Sequence, residues 1–217
     1  MRVDQHPLFD NPVIIPGVAM QNGLLYSGAS WSFSLRSNTL DKNPHIPRTL
    51  SFCVDLYILR HGKAEVYHSG FNDAERKLTG KGKEEIALVA QWMASRGYKF
   101  DLIATSPLKR AHETAGIIAA SRGNKSGITV WESLAPGGNL DDICADINKC
   151  EDNATVLIVG HEPSCSMLIS RIICGSESAA IVMTKGGLAK IRNYSFQPRP
   201  SGELQWLLTT KQMMSME

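Results

Sequence analysis

The sequence predicts an α/β protein: a three-layer sandwich in which a doubly wound, mostly parallel β-sheet is flanked by helices. Short apolar runs rich in β-forming residues alternate along the chain with segments whose apolar residues recur at helical spacing. Such alternation implies right-handed strand–helix–strand crossovers. The chain has 217 residues, 43% of them hydrophobic and 20% charged, which suits one sizeable domain and is short for two.

Residues 1–51 differ from the rest of the chain, and we predict a disordered extension there, followed by one domain over residues 52–212. The segment has no sustained period of 3.6 or 2 residues, and from residue 27 onward it is rich in serine with Asp41 as its only acid. Such a basic, serine-rich composition is typical of an organellar transit peptide, although Asp4 and Asp10 weaken the match. We expect an organelle stroma or matrix, with the chloroplast favoured. If the segment is a tail unrelated to targeting, or the start codon is misassigned, we expect the cytoplasm.

Composition excludes several classes of protein. A net charge of +2 argues against bulk nucleic-acid binding, so any anion site must come from local placement of arginines. No run approaches the roughly 18 apolar residues of a membrane span. The five cysteines are scattered and odd in number, which indicates a reducing compartment and no disulfide framework. We therefore expect neither nucleic acid nor membrane as a partner.

The first predicted strand is the apolar run that starts at Cys53, and it ends in Arg60-His61-Gly62. Ligands of open α/β sheets bind in the crevice beyond the carboxyl ends of the strands. Arg60 and His61 should project there, with Gly62 letting the backbone turn tightly beneath a ligand. Arginine suits a tetrahedral oxyanion, and histidine can be nucleophile, base or acid near neutral pH.

A helix capped by Thr79 and ended by Gly97 should precede the second strand, which runs from Phe100 to Ser106. Its Gly80-Lys81-Gly82-Lys83 lacks the spacing of a phosphate-binding P-loop. Pro107 should open the next helix. Arg110 then falls on the first helical turn, at the carboxyl edge of the sheet, where free backbone N–H groups favour anions.

The third strand is predicted over Ile128–Trp131 and is followed by a loop that begins at Glu132. Asn139 should cap a short helix. The fourth strand, Thr155–Gly160, ends in His161-Glu162-Pro163.

A helix from Ser164 to Ile173 follows the fourth strand in the prediction. The remaining segments predicted as strands are separated by hairpin-length turns, which favours antiparallel pairing, and they are Ala180–Met183, Leu188–Asn193 and Glu203–Thr209.

Three strand ends therefore deliver Arg-His-Gly, Ser-Pro-Leu-Lys-Arg-Ala and Gly-His-Glu-Pro to one edge of the sheet. Together they resemble the histidine phosphatase superfamily, which has the phosphoglycerate mutase-like fold, and within it the SixA-type phosphohistidine phosphatases. The resemblance covers about residues 53 to 210, essentially the whole domain. Further segments that carry it are Arg76–Thr79, Glu113–Ala115 and Leu134–Gly138.

The resemblance implies a metal-independent phosphatase that needs no cofactor. His61 would be the nucleophile and would carry a transient phosphohistidine. Arg60, Arg110 and Arg76, with Gly62, would hold the phosphoryl oxygens, while His161 would donate to an equatorial oxygen in the transition state.

The acid that protonates the leaving group is less defined by sequence. Family phosphatases often place a carboxylate after the third strand, which makes Glu132 the expected acid, with Glu162 as the weaker candidate. Asp55 lies within a strand. His112, beside Arg110, is expected on the surface of its helix.

Several substrates and functions remain open from sequence. We expect a phosphorylated protein or a small phosphate ester as substrate, and the short spans between motifs favour an open site for a phosphohistidine side chain. A small phosphomonoester is the alternative substrate. A non-catalytic phosphate-binding module on the same fold is the alternative function, and a mutase is less expected because it needs a more enclosed site.

Overall fold

The computed structural model describes residues 53–67, 69–70, 72–121 and 127–216. The predicted disordered extension and transit peptide, residues 1–51, lie outside these ranges and stay predictions. The described elements begin at Val54 and end at Met214, two residues past the predicted domain limit.

Within the described residues, six strands form one sheet in the spatial order β3-β2-β4-β1-β5-β6. The first four strands pair in parallel, whereas β5 pairs antiparallel with β1, and β6 antiparallel with β5. This confirms the doubly wound, mostly parallel sheet and the antiparallel strands at its end. The bounds are β1 Val54–Arg60, β2 Leu102–Thr105, β3 Ile128–Val130, β4 Thr155–Gly160, β5 Leu188–Ser195 and β6 Ser201–Leu208.

The predicted strand over Ala180–Met183 is wrong, because this segment forms no strand. Both edges of β1 are already occupied, by β4 and β5, so no central position is left for another strand. The segment instead runs beside the end of β1, where the carbonyl of Met183 accepts a hydrogen bond of 2.7 Å from the Arg60 guanidinium.

Helices cover both faces of the sheet, which confirms the three-layer sandwich. Successive strand residues point to opposite faces, so Leu56 and Ile58 pack with α3 and α4, while Tyr57 and Leu59 pack with α1, α2 and α5. No helix of the described ranges is long and apolar enough to cross a membrane. The helices are α1 Gly80–Ser95, α2 Lys109–Ser121, α3 Leu140–Ile147, α4 Ser164–Cys174 and α5 Thr210–Met214.

Side-chain caps start two helices as predicted. Thr79 accepts a hydrogen bond from the N–H of Gly82 at the start of α1, and Asn139 accepts one at the start of α3. The second helix begins at Lys109 rather than at Pro107. Sequence reasoning missed α5, because five residues are too few to show a helical period.

The register of the central strands brings the predicted site together. In the β1–β4 pair Arg60 lies opposite Gly160, so the two histidines that follow emerge side by side. The His61 N–H donates to the Gly160 carbonyl at 3.1 Å. On the other side of β4, the Ser106 N–H donates to the Val159 carbonyl at 3.0 Å, which places the start of α2 next to the two histidines.

Candidate active site

The structure places His61 and His161 together in a cavity of about 320 Å³ at the carboxyl edge of the sheet. Their ring centroids are 4.9 Å apart, and the residues are only 7% and 3% exposed. Both rings therefore act in a largely desolvated site. The residues lining the cavity are Arg60, His61, Ala64, Asp73, Arg76, Arg110, Pro136, His161, Glu162 and Lys185.

The backbone carbonyl of Gly62 determines the tautomer of His61. Nδ1 of the ring lies 2.7 Å from this oxygen, and a carbonyl only accepts, so Nδ1 carries the proton and Nε2 keeps its lone pair. Burial, together with the nearby cations Arg110, Arg60 and Lys185, lowers the pKa of His61 to about 4, although the hydrogen bond to Gly62 opposes this shift. At neutral pH the ring is therefore uncharged, with a free nucleophilic nitrogen.

Gly62 is required by close packing. A Cβ at this position would lie 2.7 Å from Cγ1 of Ile86 on α1. The N–H of Gly62 donates to the hydroxyl of Thr114 at 3.2 Å, so its amide and carbonyl are both engaged with protein groups. The expected contact of Gly62 with phosphate stays a prediction, and the structure shows its carbonyl orienting the ring of His61.

Ser106 is the partner of His161. Its hydroxyl lies 2.8 Å from Nε2 of the ring and accepts a 3.2 Å hydrogen bond from the N–H of Leu108. When the hydroxyl donates to Nε2, the ring carries its own proton on Nδ1. Nδ1 is buried, has no partner among the described residues, and is the free donor of that tautomer.

His161 is also neutral at physiological pH. Burial, together with His61, Arg110 and Arg60, lowers its pKa to about 3, while Asp73 opposes the shift. A neutral imidazole can donate from Nδ1 without first taking up a proton. The ring therefore suits the expected role of a donor to a phosphoryl oxygen.

Asp73 orients two of the predicted arginines, and sequence reasoning missed it. Its carboxylate receives Nη2 of Arg110 at 3.0 Å and Nε of Arg76 at 2.7 Å, and its backbone carbonyl receives Nη1 of Arg110 at 2.9 Å. Burial opposes ionisation, but the two arginines outweigh it and hold the pKa of Asp73 below its usual value. Because Arg110 is only 4% exposed, this pairing fixes its guanidinium beside the histidines.

Lys185 is a fourth cation on the cavity that sequence reasoning did not select. It belongs to the turn before β5, which is tied to the nucleophile. The N–H of Gly186 donates to the carbonyls of Arg60 and His61 at 3.1 and 3.3 Å. Gly186 has a φ of +71°, a conformation that strongly favours glycine.

The two candidate acids fall in different places, and of the two only Glu162 lines the catalytic cavity. Glu132 lies in a 3-10 turn, Glu132–Leu134, and lines a separate cavity of about 560 Å³. Pro136, four residues further along that loop, lines the catalytic cavity. Glu162 lies two residues after the end of β4, next to His161, and lines the catalytic cavity.

The remaining sequence expectations concern His112 and metals. His112 is exposed on α2, as expected. Among the residues that the structure describes, no group of three or more histidine, cysteine or acidic side chains is placed to hold a metal ion. The absence of a metal and of a cofactor from the reaction stays a prediction.

Comparison with known proteins shows which family the chain resembles. Residues 56–135 match the family model of the histidine phosphatase superfamily (branch 1). An uncharacterized protein of Picosynechococcus sp. is 32% identical over 165 residues, which is 74% of this chain and 99% of the relative. The phosphohistidine phosphatase SixA of Escherichia coli is 24% identical over 158 residues, covering 72% of this chain and 94% of the relative.

Solved structures show the same fold. The protein histidine phosphatase SixA complexed with tungstate superposes with a TM-score of 0.64 at 22% identity, covering 75% of this chain and 99% of that one. A phosphoglycerate mutase from Bacillus anthracis gives 0.60 at 17% identity, covering 76% and 96%. The predicted phosphoglycerate mutase-like fold is confirmed.

The chain belongs to the histidine phosphatase superfamily. Within that superfamily it is similar to the phosphohistidine phosphatase SixA, the resemblance that the motifs predicted. It is a phosphatase, and the cavity that holds the two histidines is its candidate active site.

Proposed function

We propose that this phosphatase hydrolyses phosphohistidine on proteins through a covalent phosphohistidine intermediate on His61. The observation that carries the proposal is the bond from Nδ1 of His61 to the Gly62 carbonyl. This hydrogen bond leaves Nε2 of His61 as an uncharged nucleophile in a cavity lined by cations. Such a nucleophile divides one difficult displacement into two easier ones.

In the first step, Nε2 of His61 attacks phosphorus, and the bond from phosphorus to the leaving group breaks. Arg60, Arg76 and Arg110 neutralise the phosphoryl oxygens, and Nδ1 of His161 donates to one of them as charge spreads. In the second step, water attacks phosphorus, the electron pair of the P–N bond returns to Nε2, and phosphate leaves. The Gly62 carbonyl stabilises the imidazolium formed between the two steps.

A protein substrate is supported by the surface beside the catalytic cavity. A second cavity of about 760 Å³ shares Arg76 with it and is also lined by Val66 and Lys77. Val66 is 74% exposed and its neighbour Tyr67 is 55% exposed, so apolar surface is open next to the cations. Such a combination suits a polypeptide that extends from the phosphorylated side chain.

A small phosphomonoester is the second candidate substrate. The catalytic cavity itself, about 320 Å³, has room for such a molecule without any contact to the neighbouring surface. A non-catalytic phosphate-binding module is less consistent with the site, because His61, His161, Arg60 and Arg110 all lie in it.

The test compares the two substrates directly. The protein is incubated with a phosphohistidine-bearing protein and with p-nitrophenyl phosphate, quenched in alkali and examined for acid-labile phosphate on the enzyme. We expect label on His61 that turns over, absence of label in His61→Ala, and a higher kcat/KM for the phosphohistidine protein. A higher kcat/KM for the ester would overturn the proposed substrate. Equal activity of the wild type and His61→Ala would overturn the mechanism.

We also propose that residues 1–51 direct the protein to an organelle, with the chloroplast favoured. The support is the basic, serine-rich composition of the segment. Fusion of residues 1–51 to a fluorescent reporter tests it: organellar signal is expected, and diffuse cytosolic signal would overturn it.

A further inference from the structure

We propose that Glu162 contacts the leaving group and makes the site selective for phosphohistidine over phosphate esters. In this inference, its carboxylate accepts a hydrogen bond from the ring nitrogen of the substrate imidazole that is not bonded to phosphorus. The inference rests on the proposed function, because it names how that substrate is distinguished.

Glu162 is an unusual residue for a site that binds phosphate. Four cations line the cavity, and they are accompanied by two carboxylates, Asp73 and Glu162. Asp73 is neutralised by its ion pairs with Arg110 and Arg76. Among the described residues Glu162 has no such ion pair, and its recorded partner is a neutral hydroxyl, that of Ser166.

The carboxylate is held in place at one oxygen only. Oε2 of Glu162 accepts a 2.6 Å hydrogen bond from Ser166, which lies in the first turn of α4. The amino end of that helix favours a negative charge. Oε1 is buried and has no partner among the described residues. A buried oxygen without a donor is unfavourable, and a donor from a bound substrate would remove this cost.

A carboxylate weakens the binding of a phosphoryl dianion, so a useful contact for it lies on the leaving group. Phosphohistidine departs well when the nitrogen remote from phosphorus is protonated, because the electron pair of the P–N bond then produces a neutral imidazole. A carboxylate hydrogen-bonded to that N–H favours the protonated form. The proton stays on the leaving ring, and no additional acid is required.

The first step then becomes a transfer between two similarly supported imidazoles. As the new P–N bond forms, His61 becomes an imidazolium whose Nδ1–H is held by the Gly62 carbonyl. As the old bond breaks, the substrate ring loses its positive charge while its N–H remains on Glu162. Charge is thus balanced across the step: one imidazolium is formed and one is consumed.

A phosphate ester gains nothing from this contact. Its leaving oxygen has no remote N–H, and an ionised carboxylate supplies no proton to it. The anion of p-nitrophenyl phosphate leaves without protonation, which makes this ester a suitable reference substrate. The ratio of kcat/KM for a phosphohistidine peptide to kcat/KM for p-nitrophenyl phosphate therefore measures the role of Glu162.

The experiment measures this ratio in the full chain for the wild type, Glu162→Gln and Glu132→Gln. We expect Glu162→Gln to lower the ratio by roughly tenfold to a hundredfold, the effect of losing a charge-assisted hydrogen bond. Glu132→Gln is the matched control from the separate cavity, and the wild-type ratio is expected for it. An unchanged ratio in a folded Glu162→Gln would overturn the inference, because a purely structural role affects both substrates alike.

A second variant keeps the test decisive if Glu162→Gln does not fold. Ser166→Ala retains the charge and releases the carboxylate, and the ratio should fall by about threefold. A wild-type ratio in Ser166→Ala would then overturn the inference. If the wild type does not hydrolyse the phosphohistidine peptide at all, the proposed function fails as well, which separates that failure from one confined to Glu162.

Discussion

The ends of β1 and β4 place the same residue type at neighbouring positions and assign it different chemistry. His61 and His161 are both buried and both neutral, and their ring centroids are 4.9 Å apart. They differ in their hydrogen-bond partners. His61 faces a backbone carbonyl through Nδ1, whereas His161 faces the hydroxyl of Ser106 through Nε2.

The difference in hydrogen-bond partner accounts for the different roles proposed for the two histidines. A carbonyl only accepts, so it locks the proton of His61 on Nδ1 and keeps Nε2 free to attack. A hydroxyl both donates and accepts, so Ser106 can support the neutral His161 ring and can also adjust if that ring exchanges a proton. The Gly62 carbonyl therefore supports the proposed role of His61 as nucleophile, and the Ser106 hydroxyl supports that of His161 as donor.

The largest expected effect is that of His61→Ala. Removing the nucleophile should lower kcat/KM by about four orders of magnitude or more. Steady-state hydrolysis of p-nitrophenyl phosphate checks it. Inorganic phosphate should still bind to the variant, because the arginines remain. A variant with more than one hundredth of wild-type activity would contradict the assignment of His61.

His161→Ala should have the second largest effect, a loss of about 10² to 10³ in kcat, typical of removing one donor to a transition-state oxygen. Unlike His61→Ala, it should still form the covalent intermediate, only more slowly. Rapid-quench measurement of acid-labile phosphate distinguishes the two variants. Absence of any labelling in His161→Ala would remove the difference in role between the histidines.

Ser106→Ala should cost about tenfold in kcat, since it frees Nε2 of His161 and lets the ring adopt either tautomer. The covalent label should again accumulate on His61. Ser121→Ala at the far end of α2, the helix that follows Ser106, is the matched control, because the hydroxyl of Ser121 bonds to the Ile118 carbonyl within that helix. Equal activity of both serine variants would contradict the role of Ser106.

The pH dependence provides the smallest effect and tests both histidines together. Proton NMR should show no titration of either ring between pH 8 and 5, with midpoints near pH 4 for His61 and near pH 3 for His161. In His61→Ala the pKa of His161 should rise, because the charge of His61 lowers it. Titration of either ring near pH 6.5 would show that the ring is more exposed to solvent than the 7% and 3% exposure of the two residues indicates.

The same pKa values predict how stability depends on pH. Both folded-state pKa values lie below the ordinary value of 6.5, so the unfolded chain binds more protons between pH 6.5 and about 4. The free energy of unfolding should therefore fall as the pH drops through this window, with no contribution above it. Urea unfolding at pH 7 and pH 5 measures the change, which should be smaller in His61→Ala.

Much of the fold and half of the site followed from local patterns. Apolar runs ending in Arg60-His61 and in Gly160-His161 predicted buried strands and a common edge, because a central parallel strand is apolar on both sides. The segment Ala180–Met183 was misread for the same reason. It is as apolar as a strand, but β1 had no free edge for it.

The carboxylates show where local patterns stop. Asp73 forms an ion pair with Arg110, which lies 37 positions further along the sequence, and no local sequence pattern around Asp73 predicts that pairing. Glu132 has the expected position along the chain, yet the 3-10 turn after β3 directs it to another cavity. Glu162, next to His161, was the weaker candidate and is the one on the site.

By itself, the sequence determined most of the strands and helices and the position of the two histidines at strand ends, because apolar periods act over a few residues. The class of the protein and the expected roles of the arginines followed from the resemblance of its motifs to a known family. Only the tertiary structure decided the tautomers of the histidines, the partner of each arginine and the choice between the carboxylates. Those depend on which atoms meet across the sheet edge, and contacts between segments far apart in sequence are made by packing.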